Sequence, residues 1–275
     1  MNSKKEQGKN LHLAPINLQK YKKLLLFVDT ETIGDLSKGE KAYPYDISYL
    51  VFDLDKARKK AKETDDINEI IEAGTVEKLS MINKDIFDNE YLMNSAFYRN
   101  KIPFYKWHLS NDKENYQKME LYEILERLNS IKKKYRLSTM VAYNSSFDYN
   151  SVNNLYEINT QIKKNEYKKL YQIDLWNITL QMFKNSKSYK EFCKQNNLIT
   201  ESGKNYLTNA ETFYKYMSKK LKFVEHHTGL KDIMIELEMF VMLCPYIKGY
   251  KLDSQIDKKI FWKGGAYNIE CSGTC

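Results

Sequence analysis

The chain has 275 residues, 42% of them hydrophobic, with a formal net charge of +8. That is enough apolar material for a proper core, in one large domain or two small ones. No apolar run approaches the ~20 residues that span a bilayer, four cysteines are too few for a disulfide framework, and the opening MNSKKEQGKNLHLAP has no apolar h-region, so a cytoplasmic protein without a membrane partner is expected.

In chain order, residues 1–22 are polar and Lys-rich and read as a flexible basic segment. Residues 24–28 are fully apolar, the pattern of a buried strand. Residues 46–54 read as a second strand and 74–82 as a third. Between them, 56–71 is charged and helix-permissive, an insertion at a hairpin end. Residues 119–135 repeat apolar positions at helical spacing (Leu121, Ile124, Leu125, Leu128, Ile131) and predict an amphipathic helix. A buried strand is expected over 139–143, and then a helix from about 147 with Ser145 or Ser146 as N-cap. A short strand follows over 171–175, and an apolar helix over 232–243. Three strands, helix, strand, helix, strand and further helices make an α/β layer fold, a mixed central sheet flanked by helices. Only four prolines occur, and no Pro/Gly/Ser hinge divides the chain. Cys193 and Cys244 read as small core residues. Cys271 and Cys275 could form half of a zinc site, but no second pair accompanies them.

Three short motifs, with four acids between them, carry the chemistry. LLLFVDTET ends a strand with Asp29 and Glu31. Residues two apart on a strand share a face, so both carboxylates can hold a hard divalent cation. Alone, such a pair is more often a solvated strand end. VAYNSSFD follows a buried strand with Asn144 and Asp148. A lone acid at a helix start is explained by the macrodipole. Asn144 can donate and accept toward a substrate sugar or a backbone group. HHTGLKD places His227 five residues before Asp232. A lone loop histidine is usually solvated, and Asp232 by itself fits the helix dipole. Glu236, one turn beyond Asp232, reads as solvent-facing slightly more than as a supporting group. Together these residues match the needs of phosphodiester hydrolysis: carboxylates for two cations roughly 3.5–4 Å apart and a neutral imidazole to take a proton from water.

In this order the motifs resemble the DEDD exonucleases of RNase H-like fold. The histidine five residues before the last acid resembles the DEDDh branch; Thr228 stands where the tyrosine branch has its tyrosine. The resemblance runs over about 24–242, and YLMNSAFYRNKIPFY and TNAETFYKYM are similar to phage-encoded members. It implies a 3′→5′ exonuclease domain over 23–250, followed by a tail over 251–275. It implies Asp29, Glu31, Asp148 and Asp232 as ligands of two Mg²⁺ or Mn²⁺ ions, His227 as general base, and Thr30 and Asn144 as substrate contacts. His226 competes for the base role, but the spacing favours His227. Gly229 departs from the alanine common in the family, and looser packing is expected there.

Expected partners are nucleic-acid 3′ ends, single-stranded DNA ahead of RNA, with replication proteins a further possibility and the host cytoplasm the site of action of a phage-encoded enzyme. Two other readings stay open: an idle nucleic-acid-binding module on the same fold, and an exoribonuclease of very short RNAs. The net charge favours a polyanion, although Lys-rich composition amid many Asn, Ile and Tyr also follows from an AT-rich genome. Phe97, Tyr98, Phe104, Tyr105 and Trp107, beside Arg99, Lys101 and Lys106, form the densest aromatic cluster, a candidate base-stacking surface.

Overall fold

In the computed structural model, which describes residues 24–34, 39–183, 186–244 and 266–268, a six-stranded sheet organises the chain. Its strands are β1 (Leu24–Ile33), β2 (Tyr43–Asp53), β3 (Thr75–Asn83), β4 (Tyr116–Met119), β5 (Thr139–Ala142) and β6 (Tyr171–Asp174), in the order β4-β3-β2-β1-β5-β6. Strand β2 runs antiparallel to both its neighbours, and the other pairs are parallel. One reversed strand in an otherwise parallel sheet, with helices on both faces, is the mixed α/β layer class expected from the sequence.

Helices α1 (Leu54–Lys60) and α2 (Ile67–Gly74) join β2 to β3. They are the charged 56–71 segment, but not a detached insertion. Asp53 and Asp66 cap them by accepting backbone N–H bonds, and Leu54, Ala57, Ile70 and Ile71 enter the core. Short turns α3 (Lys84–Phe87) and α4 (Glu90–Met93) lead to α5 (Ile102–Asn111), and α6 (Leu121–Lys134) precedes β5. Helix α7 (Ser145–Ile158) follows β5. Its N-cap is Asn144 rather than Ser145 or Ser146. The chain leaves β5 through a left-handed turn (φ 61°, ψ 49°), and asparagine tolerates that conformation where serine does not. Helices α8 (Leu175–Phe183), α9 (Lys187–Gln195) and α10 (Ala210–Ser218) are additions to the sequence reading, as is a small pairing of β7 (Asn205–Leu207) with β8 (Ala266–Asn268). The last long helix, α11 (Gly229–Leu243), begins three residues before the apolar run suggested. The basic segment 1–22, most of the 251–275 tail, Cys271 and Cys275 lie outside the described residues; Cys193 is buried.

Two cores fill the two faces of the sheet, and β1 contributes to both, which is why its sequence is continuously apolar rather than alternating. Leu26 and Val28 pack with Leu128, Val152 and Leu155 of α6 and α7. Leu25 and Phe27 pack with Ile233, Leu237 and Phe240 of α11. Continuing the alternation, Asp29 and Glu31 extend the row that faces α11, and Thr30 extends the row that faces α7.

Candidate active site

Parallel pairing between β1 and β5 covers only Leu26↔Met140 and Phe27↔Val141. Beyond it β5 ends and α7 begins, so the backbone N–H of Thr30 has no strand partner on that side. Asp148, in the first turn of α7, takes its place. Its Oδ1 accepts from both the Thr30 N–H (2.9 Å) and the Thr30 hydroxyl (2.8 Å). Thr30 therefore orients Asp148, a task the sequence did not suggest. The same turn is fixed from β6: Asp174 Oδ1 accepts from the N–H of Asn144 (3.2 Å) and of Asn177 (3.3 Å). Burial raises the Asp174 carboxyl to about 6, with backbone donors opposing the rise.

At the start of α11, Asp232 accepts the Thr228 N–H through Oδ2 (2.7 Å). This satisfies one orphan donor of the helix terminus and leaves Oδ1 buried without a partner. One turn along, Glu236 is 3% exposed. Its Oε1 accepts from Tyr143 N–H (3.0 Å) and its Oε2 is likewise buried without a partner. The solvent-facing reading of Glu236 is therefore corrected. Helix α11 buries its acidic stripe against β1 because Ile233, Leu237 and Phe240 on the same side pack on Leu25 and Phe27, which brings Asp232 and Glu236 over Asp29 and Glu31.

A cavity of about 1020 Å³ opens at this junction, lined by Asp29, Thr30, Glu31, Asn144, Asp148, His227 and Asp232, the seven residues named from the sequence. Carboxylate oxygens of Asp29, Glu31 and Asp232 lie within 4.8 Å of one another. Asp148 stands outside that set, tethered to Thr30. Burial pushes the Asp29, Glu31, Asp148, Asp232 and Glu236 carboxyls above their ordinary range, and mutual repulsion adds to it. So many acids with no Lys or Arg among the described cavity-lining residues, two of them with orphaned buried oxygens, fit hard divalent cations with oxygen ligands.

The two histidines separate cleanly. His227 has φ 55° and lies flat on Tyr98, with ring centroids 4.1 Å apart and planes 8° from parallel. Burial lowers its basicity, and the nearby Lys101 charge lowers it further. His226 is not among the cavity-lining residues; its Nδ1 pairs with Thr228 Oγ1 (3.0 Å) and its ring packs on Phe104. The aromatic cluster also divides. Phe97 and Tyr98 line the cavity, Phe97 85% exposed. Tyr105 is fully buried, Phe104 packs beside it, and Trp107 is on the surface away from the cavity.

Behind the acids sits Asp46, paired with Glu31 across β1 and β2 and fully buried. Its carboxylate accepts from Ser48 Oγ (2.9 Å), Ser80 Oγ (2.9 Å), the Tyr105 hydroxyl (2.7 Å) and Gly229 N–H (3.1 Å). A β-carbon on Gly229 would stand 2.7 Å from Ser48 Oγ, 2.8 Å from Ser48 Cβ and 3.0 Å from Asp46 Oδ2. The packing at Gly229 is thus tighter than expected, and glycine is there because nothing larger fits. Sequence reasoning missed Asp46, Asp174, Glu225, Trp176 and the α10 start (Thr208, Asn209, Ala210), the last three sets lining the cavity. Only Asp46 and Asp174 offered a signal, an acid at the edge of an apolar strand; Glu225 lies in a loop without periodicity.

No protein-family profile matches the sequence, and no curated protein does. Solved structures with a similar fold include a full-length 3′-exonuclease (12% identity, TM-score 0.46, covering 92% of this chain and 93% of that one). A cell-death related nuclease, CRN-4, gives 11% identity and TM-score 0.46 over 82% of this chain and 65% of its own. E. coli exonuclease I with a dT13 oligonucleotide gives 12% and 0.46 over 82% of this chain, which spans only 40% of exonuclease I. Likeness at this level carries no argument about activity, which rests on the site itself.

Proposed function

We propose that this chain is a metal-dependent nuclease that removes nucleotides from the 3′ end of a nucleic acid, single-stranded DNA in preference to RNA. The observation that carries the reading is the convergence of acids from β1, α7 and α11 with one imidazole on a single cavity. Asp29, Glu31, Asp148 and Asp232 would hold two divalent cations, Mg²⁺ or Mn²⁺. When bound, such a pair activates water and neutralises charge on the phosphoryl oxygens. His227, kept neutral by burial and by Lys101, accepts the proton of the attacking water. Tyr98 holds its ring plane, and Thr30 fixes the carboxylate of Asp148. Asn144, at a left-handed turn on the rim, contacts the terminal nucleotide, and exposed Phe97 offers a face for base stacking. Trimming of ends during phage DNA replication, repair or recombination in the host cytoplasm, alongside replication proteins, suits these properties.

The deciding assay digests 5′-labelled single-stranded DNA and RNA oligonucleotides of several lengths with Mg²⁺ or Mn²⁺. A ladder shortening from the 3′ end, stopped by EDTA, is expected, with DNA the faster substrate. Tight binding without shortening would replace this reading with an idle binding module; cleavage confined to very short RNA would make the chain an oligoribonuclease.

A further inference from the structure

The loop before α11 brings a second set of ligand atoms together beside the acids of β1. Single ligand atoms of Glu225, His227 and Asp232 all lie within 4.8 Å of one another. The set differs in kind from the Asp29–Glu31–Asp232 set, because one member is an imidazole nitrogen. Hard, tightly hydrated Mg²⁺ gains little from such a donor. Zn²⁺ and its neighbours in the transition series bind imidazole with carboxylates well, commonly with three protein ligands and one open position.

Three further observations point to a cation at this place. Asp232 is 4% exposed and its Oδ1 is buried with no hydrogen-bond partner, while Oδ2 is already held by Thr228. Glu225 is drawn into the cavity without a basic partner: among the described residues it forms no ion pair, and its charged neighbour is another acid, Glu211. Its main chain is nevertheless fixed, because its N–H donates to Glu211 Oε2 (2.8 Å), which is itself tied by Lys215 through Oε1. The flat contact with Tyr98 then holds the imidazole in place on the third corner. Ligands ~2.0–2.2 Å from a tetrahedral zinc ion stand about 3.4 Å apart, so the three side chains need to close by at most about 1.4 Å from their present spacing of 4.8 Å or less.

We infer that Glu225, His227 and Asp232 form a site for a borderline transition-metal ion, of which Zn²⁺ is the best fit, and that its occupation silences the proposed nuclease by engaging the lone pair of His227. Nuclease inhibition rests on the proposed function; the ion site does not. Zn²⁺ and Mg²⁺ would compete only through the shared Asp232, so zinc should act at concentrations far below those of magnesium.

The test is calorimetric titration of ZnCl₂ into the full chain held in excess Mg²⁺, repeated with Glu225→Gln, His227→Gln and Asp29→Asn. One Zn²⁺ per chain is expected, weakened at least tenfold by Glu225→Gln and by His227→Gln, and weakened less by Asp29→Asn. Co²⁺ in place of Zn²⁺ should give a visible absorption band that His227→Gln alters, a readout that separates ligand loss from misfolding. Unchanged zinc affinity in Glu225→Gln, or an Asp29→Asn effect as large as that of Glu225→Gln, would overturn the site. In the cleavage assay, zinc should inhibit the wild type at a concentration at least tenfold lower than it inhibits Glu225→Gln. Zinc binding with the expected variant pattern in a protein that cleaves no substrate would support the ion site and remove only the nuclease reading.

Discussion

Replacing Gly229 by alanine is the sharpest test of how the histidine loop is held. The added methyl would meet Ser48 Oγ at 2.7 Å, Ser48 Cβ at 2.8 Å and Asp46 Oδ2 at 3.0 Å, all inside ordinary contact distance. None of the three can retreat easily: Ser48 is in the middle strand pairing of β1, β2 and β3, and Asp46 is fixed by donors from four directions. Overpacking of this kind costs ~1–3 kcal/mol. Weakening the Gly229 N–H bond to the buried carboxylate adds ~1–2 kcal/mol, and the better helix propensity of alanine returns up to ~1 kcal/mol. A net loss of about 2–3 kcal/mol lowers Tm by roughly 4–12 °C in a domain of this size. His227 lies two residues upstream, and a shift of about 1 Å in a reacting group can cost ~100-fold in rate, so kcat should fall by ~10- to 100-fold. Calorimetry and a single-turnover cleavage assay measure both. Ser48→Gly removes the two nearest atoms, so Gly229→Ala should cost at least ~1 kcal/mol less in that background than in the wild type. A Gly229→Ala protein with wild-type Tm and kcat, or a double variant whose losses simply add, would refute the argument.

Asp148→Ala should abolish cleavage, whereas His227→Ala should slow it ~10²- to 10⁴-fold while calorimetric binding of Mn²⁺ persists. In EDTA the acids of the cavity, whose folded carboxyl groups titrate above their unfolded range, favour the fold fully below about pH 4 and lose that contribution as pH rises toward 8 or 9; the rise in Tm on adding Mn²⁺ should therefore be larger at pH 8 than at pH 6, and an equal rise at both would count against these acids as ligands. Glu77 behaves oppositely. Burial raises it, but hydrogen bonds from Tyr135, Tyr49 and Lys134 and the charge of Arg127 outweigh burial and bring it down to about 2, so its contribution is present above pH ~4.3 and lost as pH falls toward 2. Glu77→Gln should lower Tm at pH 7 and flatten the acid limb of the stability profile measured by calorimetry.

The acids Asp29, Glu31, Asp148 and Asp232 drew notice because each stands beside an apolar run, whereas the roles of Thr30, Asn144 and His227 came from the motif resemblance and not from periodicity. Five of the six strands of the sheet were legible as short runs of apolar residues bounded by polar ones; β4, with the sequence YQKM, carries no such run and was not foreseen. Helices α9 and α10 were less legible, since their buried faces include Tyr189, Tyr214 and Thr212, which carry a weak apolar signal. Glu236 was misjudged because i, i+4 spacing from Asp232 fixes a face but not its orientation; the packing of Ile233, Leu237 and Phe240 on Leu25 and Phe27 decides that. The tight fit at Gly229 could not be read at all, because it depends on Asp46 and Ser48, more than 180 residues upstream.

The cleft owes its location to an inequality of length: β1 runs six residues past its last partner on β5. That overhang leaves main-chain donors facing the start of a helix instead of another strand, and the gap is occupied by a side chain rather than by backbone. Sealing the notch would require no change to any acid. Extending β5 by two paired residues would zip Thr30 into the sheet and evict Asp148, so the strand's point of termination is as much a requirement for the proposed reaction as the carboxylates are.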